Sequence, residues 1–236
     1  MKTIFKNVSL LFIAAFAFSF LLGAGVFKPV SETVGNIPTV TIGSQIWMAH
    51  NLSTTVFRNG ESIPMFKGYD DWDAYGSNGL PACGRENFSP EDAQKYGILY
   101  NWYAVTDLRG LCPKGFRMPT DDDFVELLIF AGGDEDYDSD KALALLSDDE
   151  KGFGLWFNGS CCMDYEDEDD VVHHFINRGY GDSYWSSIES DGSEYYLEDI
   201  AVSLELGSSW FTDSYGAYLD PTSSKKNAYS VRCIKE

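Results

Sequence analysis

Two apolar, β-branched-containing runs flank Gly43-Ser44 in VTIGSQIWMAHNL, residues 40–52. Such runs on either side of a Gly-Ser pair predict a β-hairpin that turns at those two positions. A different period follows MPTDDD, where Phe124, Leu127, Leu128 and Ala131 recur at helical spacing and Gly132-Gly133 ends the pattern. Thr120 takes the N-cap position, and Asp123 falls three residues later in the capping-box position. Asp121, Asp122 and Asp123 then form the first turn, where exposed N–H groups and the helix dipole favour acids. Consecutive helical side chains fan out around the axis, so three in a row do not converge on one ion. The triplet is read as structural.

The same reading predicts a helix over SPEDAQKYG (Ser89 to Gly97) and a second short helix in SDKALALLSDDE. The dense apolar and aromatic segment ILYNWYAV belongs in the core. Residues 58–90, rich in Gly, Pro, Asn and Asp, read as a long loop pinned by aromatics. Residues 26–38, with two prolines and little pattern, read as a linker. Beyond the helices, GFGLWF, SYWSSI, YYLEDIAVSLEL, SSWFTD and AYSVRCIKE are short apolar or aromatic runs separated by Gly, Ser and Asp, the spacing of antiparallel strands.

The N-terminus changes the picture of where the chain works. Lys2 and Lys6 precede an apolar run from Val8 to Phe27 with small residues at Gly23, Ala24 and Gly25. Residues 1–25 therefore read as a secretory signal peptide, with an N-terminal anchor as the other possibility. The expected location is outside the cytoplasm: extracellular, cell-surface or periplasmic. Membrane contact is expected only through that segment, if it is uncleaved. The 236-residue chain carries 17 Lys+Arg against 37 Asp+Glu, a net charge of −20. Such a surface repels nucleic acid, which is excluded as a partner. Five cysteines (Cys83, Cys112, Cys161, Cys162 and Cys233) in an exported chain permit disulfides, and the odd count leaves at least one without an intrachain partner.

Four stretches together carry a family resemblance: VTIGSQIWMAHNL, KYGILYNWYAVTDLRGLCPKGFRMPTDDDFVELL, GYGDSYWSSIES and AYSVRCIKE. The chain from about residue 39 to 236 resembles the Fibrobacter succinogenes major paralogous domain. The resemblance implies an α+β, C-type lectin-like fold, also elaborated by formylglycine-generating enzymes. It would have two or three short helices, the early one around Leu99–Thr106, short antiparallel strands and long irregular loops. It also implies a disulfide between Cys112 and Cys233. His50, Phe116 and Ile188 stand where the family usually has Glu, Trp and Thr, and NGSCCMDYEDEDD replaces its common GGYR strand.

Candidate chemistry is sparse. Asp134, Asp136 and Asp138 alternate with Asp140 in GGDEDYDSD, like the start of an EF-hand. The glycine at position six and the glutamate at position twelve are missing. At most weak calcium binding is expected, and no other cofactor. The acid-dense run from Asp164 to Asp170 reads as a solvated face. The Glu-Pro-Asn-type tripeptides with which C-type lectins hold calcium and sugar are absent. Cys161-Cys162 invites comparison with the cysteine pair of formylglycine-generating enzymes. Neighbours on a strand point to opposite faces, so the expectation is that one bridges Cys83 and the other packs as a small hydrophobe. Aromatic rings remain as the candidate ligand site. Tyr184, Trp185 and Trp210 lie among Ser and Gly, and flat rings with polar edges suit sugar stacking or protein contact.

The sequence thus predicts an exported, non-catalytic surface or secreted binding module for a carbohydrate or protein ligand. A divergent formylglycine-generating-type oxidase and an adhesive protein without a small ligand are the alternatives.

Overall fold

The computed structural model describes residues 30–66, 69–84, 96–133, 140–147, 153–154, 160–167, 170–176, 181–191, 198–208 and 215–236. Strands β2 (Ile37–Ile42) and β3 (Gln45–Met48) form the hairpin expected around Gly43-Ser44, with Ile42 opposite Gln45. Gly43 sits at φ +59°, and a Cβ there would approach the Phe130 ring to 2.9 Å, so both the turn and the contact call for glycine. The linker reading of 26–38 is corrected over residues 30–38, and residues 26–29 lie outside the described residues. Val30–Val34 forms β1, paired antiparallel with β2 across Gly35-Asn36. Pro38 obscured this hairpin in the sequence, yet it lies opposite Thr33 within the paired register.

The five-stranded sheet runs β1-β2-β3-β12-β6, where β6 is Phe116–Arg117 and β12 is Ile234–Lys235. The chain's last strand is therefore inserted near the middle. The preceding residues are tied on several sides. Met48 N–H donates to Cys233 O at 3.0 Å and Leu52 N–H to Val231 O at 2.8 Å. Tyr100 and Tyr229 exchange backbone bonds at 2.9 and 3.0 Å, and Trp185 N–H donates to Ser230 O at 3.1 Å. Arg232, 1 % exposed, donates to Asn51 Oδ1 from Nε at 2.9 Å and Nη2 at 2.6 Å, and to the Phe153 carbonyl from Nη1 at 2.6 Å. Its guanidinium lies 4.5 Å from the Phe153 ring centroid. Cys233 bonds to Cys112, with Cα atoms 6.0 Å apart, as the family resemblance implied.

The long-loop reading of 58–90 is also corrected in part. Tyr69–Ser77 forms helix α1, and Cys83–Gly84 forms β4, paired with β5 (Leu99–Tyr100). Asp70, Asp71, Asp73 and Gly76 dilute the helical pattern, and Trp72, packed edge-on against Phe66 at 4.7 Å, anchors the helix with Tyr75 packed against the same cluster. The expected helix near Leu99–Thr106 shrinks to one turn, α2 (Trp102–Val105). Its N-cap Asn101 accepts from Ala104 N–H, while its Oδ1 also accepts from Ala82 N–H at 2.9 Å and its Nδ2 donates to Leu80 O at 2.8 Å. Residues 89–95 of the helix expected over Ser89 to Gly97, and residues 209–213 of the strand expected in SSWFTD, lie outside the described residues.

Helix α3 (Asp121–Phe130) is capped as the pattern predicts. Thr120 Oγ accepts from Asp123 N–H, and Asp123 accepts from Thr120 N–H at 2.7 Å. Burial works to raise the Asp123 carboxyl, but the Arg117 guanidinium and the Thr120 bonds outweigh it and hold the carboxyl below its ordinary value. Helix α4 (Asp140–Ser147) falls in SDKALALLSDDE as expected. Phe124, Leu127 and Leu128 of α3 and Leu143 and Leu146 of α4 pack on Trp47 and on Tyr184, Leu204, Leu206 and Ala217 of a second sheet. That sheet has the order β11-β10-β9, with β9 Gly181–Glu189, β10 Ile200–Ser208 and β11 Tyr215–Ser224. Strands β7 (Ser160–Asp167) and β8 (Asp170–Ile176) form a separate hairpin. The architecture is α+β: short helices and several small antiparallel sheets. No helix among the described residues is long and apolar enough to cross a membrane.

Two outcomes follow from this arrangement. The Cys112–Cys233 bond spans 121 residues, so replacing both cysteines by serine should lower unfolding stability by about 4 kcal/mol in urea titrations, on the chain-entropy estimate. Thr120→Ala should cost about 1 kcal/mol, whereas Asp121→Asn or Asp122→Asn should change stability by only about 0.3 kcal/mol, measured the same way.

Candidate functional site

One end of the three-stranded sheet gathers polar side chains that point outward but are held from within. Glu189 closes β9, Asp199 immediately precedes β10, and Lys225 follows β11. Lys225 N–H donates to Asp199 O at 3.0 Å and Trp102 N–H to Lys225 O at 3.1 Å, which fixes the turn against α2. Asp199 has φ +59°, a left-handed conformation that aspartate tolerates better than most residues.

The Lys225 side chain is 9 % exposed, against 62 % for Glu189 and 44 % for Asp199. Its ammonium donates to Glu189 Oε1, lies 3.4 Å from Asp199 Oδ1 and sits 4.8 Å from the Trp102 ring centroid. Tyr103 OH donates to Asp199 Oδ2 at 2.6 Å. Burial, that bond and the charges of Asp199 and Glu189 all push the Tyr103 phenol well above its ordinary value, so it remains a donor. The result is two solvent-facing carboxylates oriented by a covered cation. Such a pair accepts hydrogen bonds from hydroxyl, amide or amine groups. Nothing in it resembles an activated nucleophile.

The sequence-derived candidates fare differently. Tyr184 and Trp185 do not form an exposed shelf, being 1 % and 0 % exposed. Both faces of β9 are covered. Tyr184 packs with the α3 and α4 core, and Trp185 lies tilted against Tyr229 with ring centroids 4.4 Å apart while its Nε1 donates to Tyr100 O at 2.8 Å. Serine-rich surroundings suggested a surface, but Ser183, Ser186 and Ser230 are themselves buried. Trp210 and the calcium candidates Asp134, Asp136 and Asp138 lie outside the described residues. Among the described residues, no group of three or more His, Cys, Asp or Glu is arranged to hold a metal ion.

The expected bridge to Cys83 is corrected as well. Cys83 is a free, buried thiol, pushed up to about 12 by burial. Cys161 and Cys162 lie on β7, where the register shifts between Cys161 and Met163 and breaks the simple alternation assumed for them. Phe116, at a position where the family usually carries tryptophan, is wholly buried and fills a packing role.

Tyr103, Glu189, Asp199 and Lys225 escaped the sequence reading. They are scattered across the chain without a motif, and they meet only because α2 docks against the ends of β9 and β11. The Lys-Lys-Asn turn after β11 was the nearest available signal.

Neither a curated protein nor a solved structure matches the chain. The Fibrobacter succinogenes major domain matches residues 40–235, from within β2 through the end of β12. With nearly all of the described fold inside that match, the chain belongs to the Fibrobacter succinogenes major domain family.

Proposed function

We propose that this protein is an exported, non-catalytic binding module with a C-type lectin-like fold, whose ligand surface includes Glu189, Asp199 and Tyr103. The carbohydrate or protein ligand expected from the sequence suits groups of this kind. The observation that carries the reading is the Lys225 arrangement. A lysine 9 % exposed holds two outward carboxylates in fixed positions, and preorganised polar groups lose less entropy on binding. The lectin-like assignment draws on the order of α2, Cys112, β6 and α3, and on a last strand tied back by Cys233. Export draws on the N-terminal apolar segment and on a disulfide suited to an oxidising compartment. The oxidase alternative calls for an accessible, reactive thiol, and the buried Cys83 does not favour it.

Glycan and peptide arrays probed with the mature chain, with and without calcium, would find the ligand. For the ligand so found, Glu189→Gln with Asp199→Asn should weaken binding by about thirtyfold while the circular dichroism spectrum stays unchanged. Unchanged affinity in that double variant would remove the site from the account.

A further inference from the structure

The three-stranded sheet carries a second polar assembly, on the face opposite α3 and α4. Leu204 and Leu206 pack with the helices, so by alternation Ser203 and Glu205 point the other way, toward residues 227–229. Glu205 accepts from Ser183 Oγ at 2.7 Å and from Ser203 Oγ at 2.6 Å. Ser203 Oγ and Ser223 Oγ are 2.8 Å apart. Ser223 Oγ lies 3.3 Å from Asp220 Oδ2 and 3.3 Å from Tyr229 OH, and Asn227 Nδ2 donates to Tyr229 OH at 2.8 Å. The other Asp220 oxygen accepts from Thr222 N–H at 2.8 Å and Thr222 OH at 2.6 Å.

Each hydroxyl has a single proton to give. While Glu205 is ionised, the Ser203 proton is committed to it. The contact between the serines must then use the Ser223 proton, which leaves none for Asp220. The chain runs Asn227, Tyr229, Ser223, Ser203, Glu205, with every donor directed at Glu205. A proton on Glu205 Oε1 reverses the far half. The carboxyl donates to Ser203, Ser203 to Ser223, and Ser223 to Asp220. Tyr229 continues to donate to Ser223, whose oxygen has two lone pairs. No heavy atom has to move.

We propose that Glu205 and Asp220 form one proton-responsive unit, in which protonation of Glu205 reverses the Ser203–Ser223 chain and adds a hydrogen bond from Ser223 to Asp220 within β11, while the Tyr229 bond to Ser223 is kept. The groups facing Glu205 are Ser183 of β9, Ser203 of β10, Tyr218 and Asp220 of β11, and Asn227 and Tyr229 beyond it. Asp220 is the charged member of this set among the described residues. Nearby Lys225 is engaged with Glu189 and Asp199. Burial pushes the Glu205 carboxyl from 4.5 up to about 7; the serine bonds oppose this, and the Asp220 charge adds to it. The folded state therefore keeps a proton that the unfolded chain has lost. The contribution of this unit to stability is full below about 4.5 and is lost as pH rises through about 7.

Carboxyl carbon NMR across pH 4 to 9 tests the unit directly. In the wild type, the Asp220 resonance should step at the midpoint of Glu205. In Ser223→Ala, Glu205 should still titrate and the Asp220 step should shrink several-fold, because the hydroxyl link is gone while the charges remain. Urea unfolding of Glu205→Gln gives an independent readout. From pH 5 to pH 8 the wild-type unfolding constant should rise about tenfold more than that of the variant, a fraction of the full linkage because Glu205 is half-buried. An equal Asp220 step in Ser223→Ala, or wild-type pH dependence in Glu205→Gln, overturns the proposal.

Discussion

The fold depends on where its last eight residues are placed. Residues 229–236 are bonded to β5 through Tyr100, to β9 through Ser183 and Trp185, to the β3 side through Met48 and Leu52, and to the β6 side through Gly115. A segment this deep must satisfy its backbone groups from its neighbours, and those neighbours in turn take their positions from it. Arg232 is the costliest member, since burying a guanidinium is unfavourable unless its donors are used. Asn51 and the carbonyls of Ala49, Phe153 and Gly154 meet it, so two distant parts of the chain converge on one side chain. The neighbouring Cys233–Cys112 bond makes the closure covalent.

That closure divides the polar groups into two populations. Inside, Asn101 ties α2 to the loop before β4, and Glu205 ties the strands of the second sheet together. These groups are spent on holding one geometry. Outside, the Glu189 and Asp199 carboxylates are anchored by Lys225 yet face solvent. The aromatic residues follow the same division. Trp47, Trp72 and Trp185 are consumed by packing, as expected for a chain with little regular structure and many small sheets to cover. The functional reading thus moves from rings to carboxylates.

Local signals in the sequence were reliable where one physical effect dominated. The Gly43-Ser44 turn and the Thr120–Asp123 capping box are settled within a few residues, and both formed where the pattern placed them. The α4 helix likewise followed its apolar spacing. The signals failed where tertiary contacts override composition. Val30–Val34 becomes a strand because β2 offers it a partner, and Tyr69–Ser77 a helix because Trp72 finds Phe66. The candidate site was invisible for the same reason, since Tyr103 and Lys225 are neighbours only after α2 has docked. Serine and glycine around Tyr184 and Trp185 suggested exposure, whereas Ser183 and Ser186 are buried and Ser183 bonds β9 to Ser230 of the C-terminal segment.

Amide hydrogen exchange by mass spectrometry and NMR on the oxidised protein measures the central constraint most directly. If the C-terminal segment holds the fold together, the amides of Met48, Leu52, Tyr100, Trp185, Tyr229 and Ser230 should be among the last to exchange, opening only with global unfolding. They should lose that protection together when the Cys112–Cys233 bond is reduced. Exchange of the Tyr229 and Ser230 amides at rates typical of surface turns, while the α3 amides stay protected, would contradict the account.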